Sequence, residues 1–115
     1  MKASLQVVRG EFGPIAGDDR RIPLPQGEFL VGRNLDCNFR PWSKTISRKH
    51  CLITVTPYAA YVRDLDSRNG TKLNGLPISG EAPIHHGDML AVGPIILRFV
   101  LAETESRVPQ ARARR

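Results

Sequence analysis

Glycine and proline interrupt almost the whole chain, and their spacing limits what it can fold into. The longest segments free of both residues run from Trp42 to Thr56 and from Ile95 to Val108. Because an ordinary helix needs about 11 residues and tolerates neither breaker in its interior, few helices fit. The segments between the breakers that are rich in aliphatic and β-branched residues are Leu5–Val8, Phe29–Val31, Cys51–Val55, Ala60–Arg63, Met89–Val92 and Ile95–Leu101. Together with the tight-turn pairs Asn69-Gly70 and Asn74-Gly75, they predict an all-β sandwich or barrel.

The chain length predicts a single domain. A chain of 115 residues leaves no room for a second independent core. We expect the domain to span residues 4–102. Residues 103–115 are rich in charge and poor in apolar residues, so we expect a disordered basic tail.

Several classes of protein are disfavoured by the same sequence. No segment approaches the roughly 20 apolar residues of a membrane-spanning helix, and the start Met1-Lys2-Ala3 lacks the apolar stretch of a signal peptide. We therefore expect a cytoplasmic protein without a membrane partner, in which Cys37 and Cys51 are buried reduced thiols. Neither cysteine has ligands at metal-finger spacing, so we expect no metal and no cofactor.

Of the net charge of +6, +4 lies in one stretch of the predicted domain and +2 in the tail. Residues 32–50 contain five cations against the single acid Asp36, while the segments 1–31 and 51–102 are each neutral. The five cations are Arg33, Arg40, Lys44, Arg48 and Lys49. They lie in loop-like sequence, and a serine beside an arginine provides donors suited to a phosphate, so this stretch indicates an anion site.

Three motifs in order make the interpretation specific. Gly32-Arg33, Ser47-Arg48-Lys49-His50 and the segment from Asp64 to Gly75 resemble, in that order and spacing, a forkhead-associated (FHA) domain. The resemblance is closest within a motif core of residues 28–80. It implies a β-sandwich of two antiparallel sheets with about eleven short strands, FHA/SMAD-like. It also implies a monomeric, non-enzymatic module that binds phosphothreonine in partner proteins, such as substrates of Ser/Thr kinases, and serves signal transduction.

The resemblance also implies a role for individual residues. Arg33 and Ser47 would bind the phosphate, with Arg48 adding a second charge. Asn69 would hold the backbone of the bound peptide, and Arg68 would face its downstream side chains. The residues expected to support the site are Gly32, His50, Gly70, Thr71, Asn74 and Gly75.

Some residues could instead belong to an enzyme. Ser47 and His50 could be a nucleophile and its base, but an offset of three on a strand would put them on opposite faces. His85 and His86 could bind a metal with Asp88, although adjacent histidines in a turn point apart. Asp64 and Asp66 share one strand face by period, but they fit the FHA-like turn better than an acid-base pair.

Two other kinds of partner are possible from the sequence. The basic tail and Trp42 beside basic residues would suit a nucleic acid, and a protein partner could bind without phosphate. Thr104, between Glu103 and Glu105, is a candidate phosphorylation site through which the tail could occupy its own binding site.

Overall fold

The computed structural model describes residues 2–9, 21–41 and 43–102, and every regular element within them is a β-strand. The ten strands are β1 (Lys2–Arg9), β2 (Arg21–Leu24), β3 (Gly27–Val31), β4 (Cys51–Val55), β5 (Ala60–Asp64), β6 (Thr71–Leu73), β7 (Leu76–Pro77), β8 (Glu81–Pro83), β9 (Met89–Val92) and β10 (Ile95–Ala102). Six of them coincide with the segments predicted from the sequence. The predicted tail with Thr104, and also Trp42, lie outside the described residues.

The strands form two antiparallel sheets, which confirms the predicted sandwich. The larger sheet has the order β2-β1-β10-β9-β6-β7 and the smaller one β3-β4-β5-β8. Alternate residues of each long strand point into the space between the sheets, as in β10, where Ile95, Leu97 and Phe99 are fully buried. Ten strands are found in the described part of the chain, where about eleven were expected. No helix in the described part of the chain is long and apolar enough to cross a membrane.

Strand ends from both sheets meet at one end of the sandwich. In the smaller sheet the last residue of β3, Val31, pairs with the first residue of β4, Cys51, which in turn pairs with Asp64 at the end of β5. In the larger sheet Thr71, the first residue of β6, pairs with Val92 at the β9–β10 turn. The β3–β4 loop (32–50) and the β5–β6 loop (65–70) therefore emerge side by side, and this end carries the basic stretch.

The β6–β7 turn lies at the other end of the sandwich. Asn74 and Gly75 both have positive φ, 52° and 84°, as the Asn-Gly signal predicted. Asn74 binds across to the turn before β9, since its Nδ2 donates to Asp88 and its Oδ1 accepts from the Met89 amide. Ala102, the last residue of β10, pairs with Lys2 at this same end, so β10 ends far from the basic loops.

Candidate functional site

The β3–β4 loop folds back on itself directly after β3. The Arg33 amide donates to the Ser47 carbonyl and the Asn34 amide to the Arg48 carbonyl, both at 3.1 Å. At Gly32 the two arms approach so closely that a Cβ would lie 2.2 Å from the Arg48 carbonyl oxygen. Only glycine permits this approach, and it places Arg33 beside Ser47.

Cys37 stabilises the folded-back β3–β4 loop from inside. Its Sγ donates to the Arg48 carbonyl at 3.2 Å. Cys37 and Cys51 are both free and buried, as expected. Burial raises the pKa of both thiols, so each remains a neutral packing group rather than a nucleophile.

Arg33 is held through its backbone and through one nitrogen of its side chain. Its Nε donates to the Ile46 carbonyl at 2.5 Å. Ile46 is fully buried, so the carbonyl that receives this bond is itself anchored in the core. The two terminal nitrogens of the guanidinium have no hydrogen bond to the described residues and can donate to a ligand, in the forked geometry that suits a phosphate.

Ser47 and Asn69 join the two loops across the gap between the sheets. The Ser47 Oγ accepts a hydrogen bond from the Arg68 amide at 2.8 Å. Because that amide occupies an acceptor position, the hydroxyl can still donate its own hydrogen to an oxyanion. From the other loop, the Asn69 Nδ2 donates to the Thr45 carbonyl at 2.7 Å. The two loops therefore form one preorganised surface.

His50 lies behind that surface and is fully buried. Its Nδ1 accepts from the Ser47 amide at 3.1 Å, which requires the tautomer with hydrogen on Nε2, and Nε2 donates to the Gly70 carbonyl at 2.8 Å. Both residues precede β4, so the alternation of side chains along a strand does not apply to Ser47 and His50. Both ring nitrogens are nevertheless occupied by backbone groups, and neither faces the Ser47 hydroxyl as a catalytic base would.

Asp64 organises the start of the second loop. Its carboxylate accepts from the Ser67 hydroxyl at 2.5 Å and from the Thr71 hydroxyl at 2.7 Å, and Thr71 is fully buried. Burial raises the pKa of Asp64, but these hydrogen bonds outweigh it and hold the pKa below its ordinary value. Asp66 follows the end of β5 with a φ of 54°, so it does not share a strand face with Asp64.

The two loops enclose a strongly basic cavity of about 440 Å³. The described residues that line it are Arg33, Lys44, Thr45, Ile46, Ser47, Arg48, Lys49 and Arg68. They include five cations and no carboxylate. Among the cations that line the cavity, Lys49 forms an ion pair within the described residues, to Asp36 at 3.8 Å. The cavity therefore suits a ligand with more than one negative charge.

The structure brings together most of the residues expected at the site. Arg33, Ser47, Arg48 and Arg68 line the basic cavity, and Asn69 lines an adjoining one of about 310 Å³ with Thr45 and Gly70. Residues that lie behind or beside these cavities are Gly32, His50, Gly70 and Thr71. Asn74 and Gly75 are not part of this group, because they follow β6 at its opposite end.

Several residues that form the site were not identified from the sequence. Thr45 and Ile46 act through backbone carbonyls, and carbonyls are common to all residues, so no residue type marks them. Lys44 and Lys49 were visible only as members of the basic stretch. The positions of Ser67 and Asp64 in one network depend on the path of the β5–β6 loop.

The histidines of the β8–β9 turn are not arranged as metal ligands. The His86 Nδ1 accepts from the Leu101 amide at 2.9 Å, while His85 lies 3.7 Å from Asp88. Within residues 2–9, 21–41 and 43–102, no cluster of three potential ligands is present.

Comparison with known proteins agrees with this geometry. The family model of the FHA domain matches residues 29–93, more than half of the chain. The chain therefore belongs to the FHA family, whose domains bind phosphothreonine peptides and act as interaction modules.

Individual relatives match over most of this chain. It is 34% identical over 85 residues to the FHA domain-containing protein FhaA of Mycobacterium tuberculosis, covering 72% of this chain and 16% of FhaA. It is 32% identical over 78 residues to the proliferation marker protein Ki-67 of Mus musculus, covering 67% of this chain and 2% of Ki-67. The chain thus spans a small part of either relative.

A solved structure shows the likeness in three dimensions. A domain from a structural and functional analysis of phosphothreonine-dependent FHA domain interactions superposes with a TM-score of 0.76. The two are 27% identical, and the match covers 89% of this chain and 98% of that domain.

Proposed function

We propose that this chain binds phosphothreonine in partner proteins through the basic cavity, as an interaction module of Ser/Thr kinase signalling and not as an enzyme. The observation that carries the proposal is that Arg33 and Ser47 line the same basic cavity. Arg33 offers two guanidinium nitrogens, and Ser47 offers a hydroxyl whose acceptor position is already filled by the Arg68 amide. These donors match the three acceptor oxygens of a phosphate.

The positions of the other residues around the cavity indicate their roles. Arg48 and Arg68 line the same cavity and supply additional positive charge. Asn69, with its Nδ2 on the Thr45 carbonyl, keeps its Oδ1 to accept from the backbone of the peptide. Arg68 faces the side chains downstream of the phosphothreonine. His50, Gly32, Gly70 and Thr71 hold the loops, whereas Asn74 and Gly75 act on the turn at the far end.

The domain bounds, the oligomeric state and the cellular compartment of the protein are proposals as well. We assign the binding module to residues 4–102 and expect it to act as a monomer. The two buried free thiols, Cys37 and Cys51, fit a reducing compartment, which supports the cytoplasm as the place of action.

An oriented peptide library with a fixed phosphothreonine, compared with its unphosphorylated twin, tests the proposal. The phosphorylated library should bind and the unphosphorylated one should not. Equal binding of the two would refute the proposal, as would steeply salt-dependent binding to random DNA without any preference for phosphopeptides.

An Arg33→Ala variant tests the site itself. Charge-assisted hydrogen bonds contribute about 1.5 to 3 kcal/mol each, so this variant should bind the phosphorylated library at least about tenfold more weakly. Arg98→Ala is the matched control, because Arg98 is an exposed arginine on β10, outside the loops. A folded Arg33→Ala variant that binds as well as Arg98→Ala would show that the site is misassigned.

A further inference from the structure

The charged side chains on the strands of the larger sheet are all positive. Its six strands contain five cations and no aspartate or glutamate. The four strands of the smaller sheet contain three carboxylates and one cation. Because residues 1–31 and 51–102 are each neutral, this separation of charge arises from the pairing of the strands. The five cations of the larger sheet are Lys2, Arg9, Arg21, Lys72 and Arg98.

A first row of outward-facing side chains crosses the larger sheet at Arg98. The odd-numbered residues 95 to 99 of β10 are buried, so the exposed Arg98 points away from the core. Arg98 pairs with Gln6 of β1, and Gln6 pairs with Arg21 of β2. Neighbouring strands lie about 4.8 Å apart, so the backbones of the two arginines are about 10 Å apart on one face.

A second row runs beside the first and has a cation near each end. Ile96 of β10 pairs with Arg9 on one side and with Ala91 of β9 on the other. Ala91 in turn pairs with Lys72 of β6. Arg9 and Lys72 are exposed, whereas the two aliphatic residues between them are half-buried. The outer face therefore alternates aliphatic and cationic side chains.

The domain itself does not neutralise this face. The two ion pairs within residues 2–9, 21–41 and 43–102 are Lys49–Asp36 and His85–Asp88, and neither includes a residue of these six strands. Cations on a sheet often protect its edges from aggregation, but Arg98 lies on β10, in the interior of the sheet. Neighbouring cations repel one another, and an acidic partner would relieve that repulsion.

The uncharged side chains of the face favour a protein partner over a nucleic acid. Phe99 is the aromatic residue of these six strands, and it is buried, so the outer face of these strands offers no ring on which a base could stack. Val8, beside Arg9, is 45% exposed. The aliphatic residues that are half-buried on this face are Met89, Ala91, Ile96 and Val100. Aliphatic groups between cations suit a surface that combines aliphatic and acidic side chains.

We propose that the outer face of the larger sheet binds an acidic amphipathic helix of a partner protein. A helix laid on a sheet is a common way to cover an apolar face. β10 has eight residues and is about 27 Å long, which matches a helix of about five turns. The inference goes beyond the proposed function, because none of the described residues that line the basic cavity belongs to these six strands.

Three synthetic helical peptides of about 18 residues test the proposal. They share one stripe of leucines, and their remaining positions carry glutamate, glutamine or lysine. In titrations of the whole chain, the glutamate peptide should bind at least about tenfold more tightly than the glutamine peptide, and the lysine peptide should not bind. The amide chemical shifts that change should belong to β1, β9 and β10 and not to residues 32–50.

Charge reversal assigns the binding to this face. Arg98→Glu should weaken binding of the glutamate peptide by about three- to tenfold, because it removes an attraction and adds a repulsion. Arg63→Glu is the matched control, since Arg63 is an exposed arginine on β5 of the smaller sheet, and it should change the affinity less than about twofold. An equal loss in the two variants would mean an effect of net charge alone and would overturn the assignment.

The remaining outcomes separate this inference from the proposed function. A chain that binds the phosphothreonine library but not the glutamate peptide would overturn this inference alone. Binding of the glutamate peptide that is lost in Arg33→Ala would place the peptide in the basic cavity and would also overturn it. Duplex DNA that binds more tightly than the glutamate peptide, and that depends on Arg98, would assign the face to nucleic acid instead. Binding of the glutamate peptide as expected, without binding of the library, would overturn only the proposed function.

Discussion

The substitution of His50 tests the central link between the two binding loops. His50→Ala removes two buried hydrogen bonds, from the Ser47 amide and to the Gly70 carbonyl, and leaves a cavity in place of the ring. Each unsatisfied buried group costs about 1 to 3 kcal/mol, and large-to-small replacements in a core cost about 2 to 5 kcal/mol. We expect the free energy of unfolding to fall by about 3 to 5 kcal/mol.

Two conservative variants separate the two bonds. The Asn side chain reaches the position of Nδ1, so His50→Asn can keep the bond from the Ser47 amide and loses the bond to Gly70. The Gln side chain reaches the position of Nε2, so His50→Gln can keep the bond to Gly70 and loses the other. Each should lower the free energy of unfolding by about 1 to 3 kcal/mol and weaken phosphopeptide binding several-fold.

The assay is urea unfolding followed by circular dichroism, combined with affinity for the phosphothreonine library. His86→Ala is the matched control, because His86 also accepts one backbone amide, from Leu101, but is exposed to water at the opposite end. It should cost less than about 1 kcal/mol and leave peptide binding unchanged. If His50→Ala were no more destabilised than His86→Ala, the argument that His50 holds the loops together would fail.

Three further substitutions test other parts of the site. Gly32→Ala would place a Cβ 2.2 Å from the Arg48 carbonyl oxygen, so thermal denaturation should show a lower melting temperature, and peptide binding should weaken by at least about tenfold. Thr71→Val removes a hydrogen bond that lowers the pKa of Asp64. A lowered carboxyl pKa stabilises the fold above its unfolded value near 3.8, and the stabilisation is lost as the pH falls further. Thr71→Val should therefore be less stable at neutral pH and lose less additional stability below about pH 4 in a pH series of urea melts; an unchanged acid limb would contradict this. Asn69→Asp cannot donate from its side chain and puts a negative charge beside the basic cavity, so titration calorimetry should show a greater loss of peptide affinity than for Asn69→Ala.

The sequence predicted the long strands and missed the short ones for a physical reason. Strands such as β4 and β10 carry enough alternating apolar residues to be visible, whereas β6, β7 and β8 have only two or three residues each. β2 was missed because it contains Pro23, which is accommodated because β2 is the edge strand of its sheet. The two Asn-Gly pairs also differ, since in the first only Gly70 has positive φ.

The residue types of the candidate site were visible in the sequence because charge and glycine carry information by themselves. The excess of cations in residues 32–50 pointed to an anion site before any fold was known, and the resemblance to the FHA family singled out Arg33 after Gly32. These features are local in the sequence, so they can be recognised without knowing the fold.

Tertiary structure decided which of those residues act together. Ser47 and Arg68 are 21 positions apart, yet their hydrogen bond aligns the hydroxyl that would meet a phosphate. Asn74, close to Asn69 in sequence, is directed to the opposite end by the three residues of β6. Sequence alone determined the chemistry available to this domain, whereas the packing of the two sheets determined its geometry, because contacts between distant segments form only when the sandwich closes.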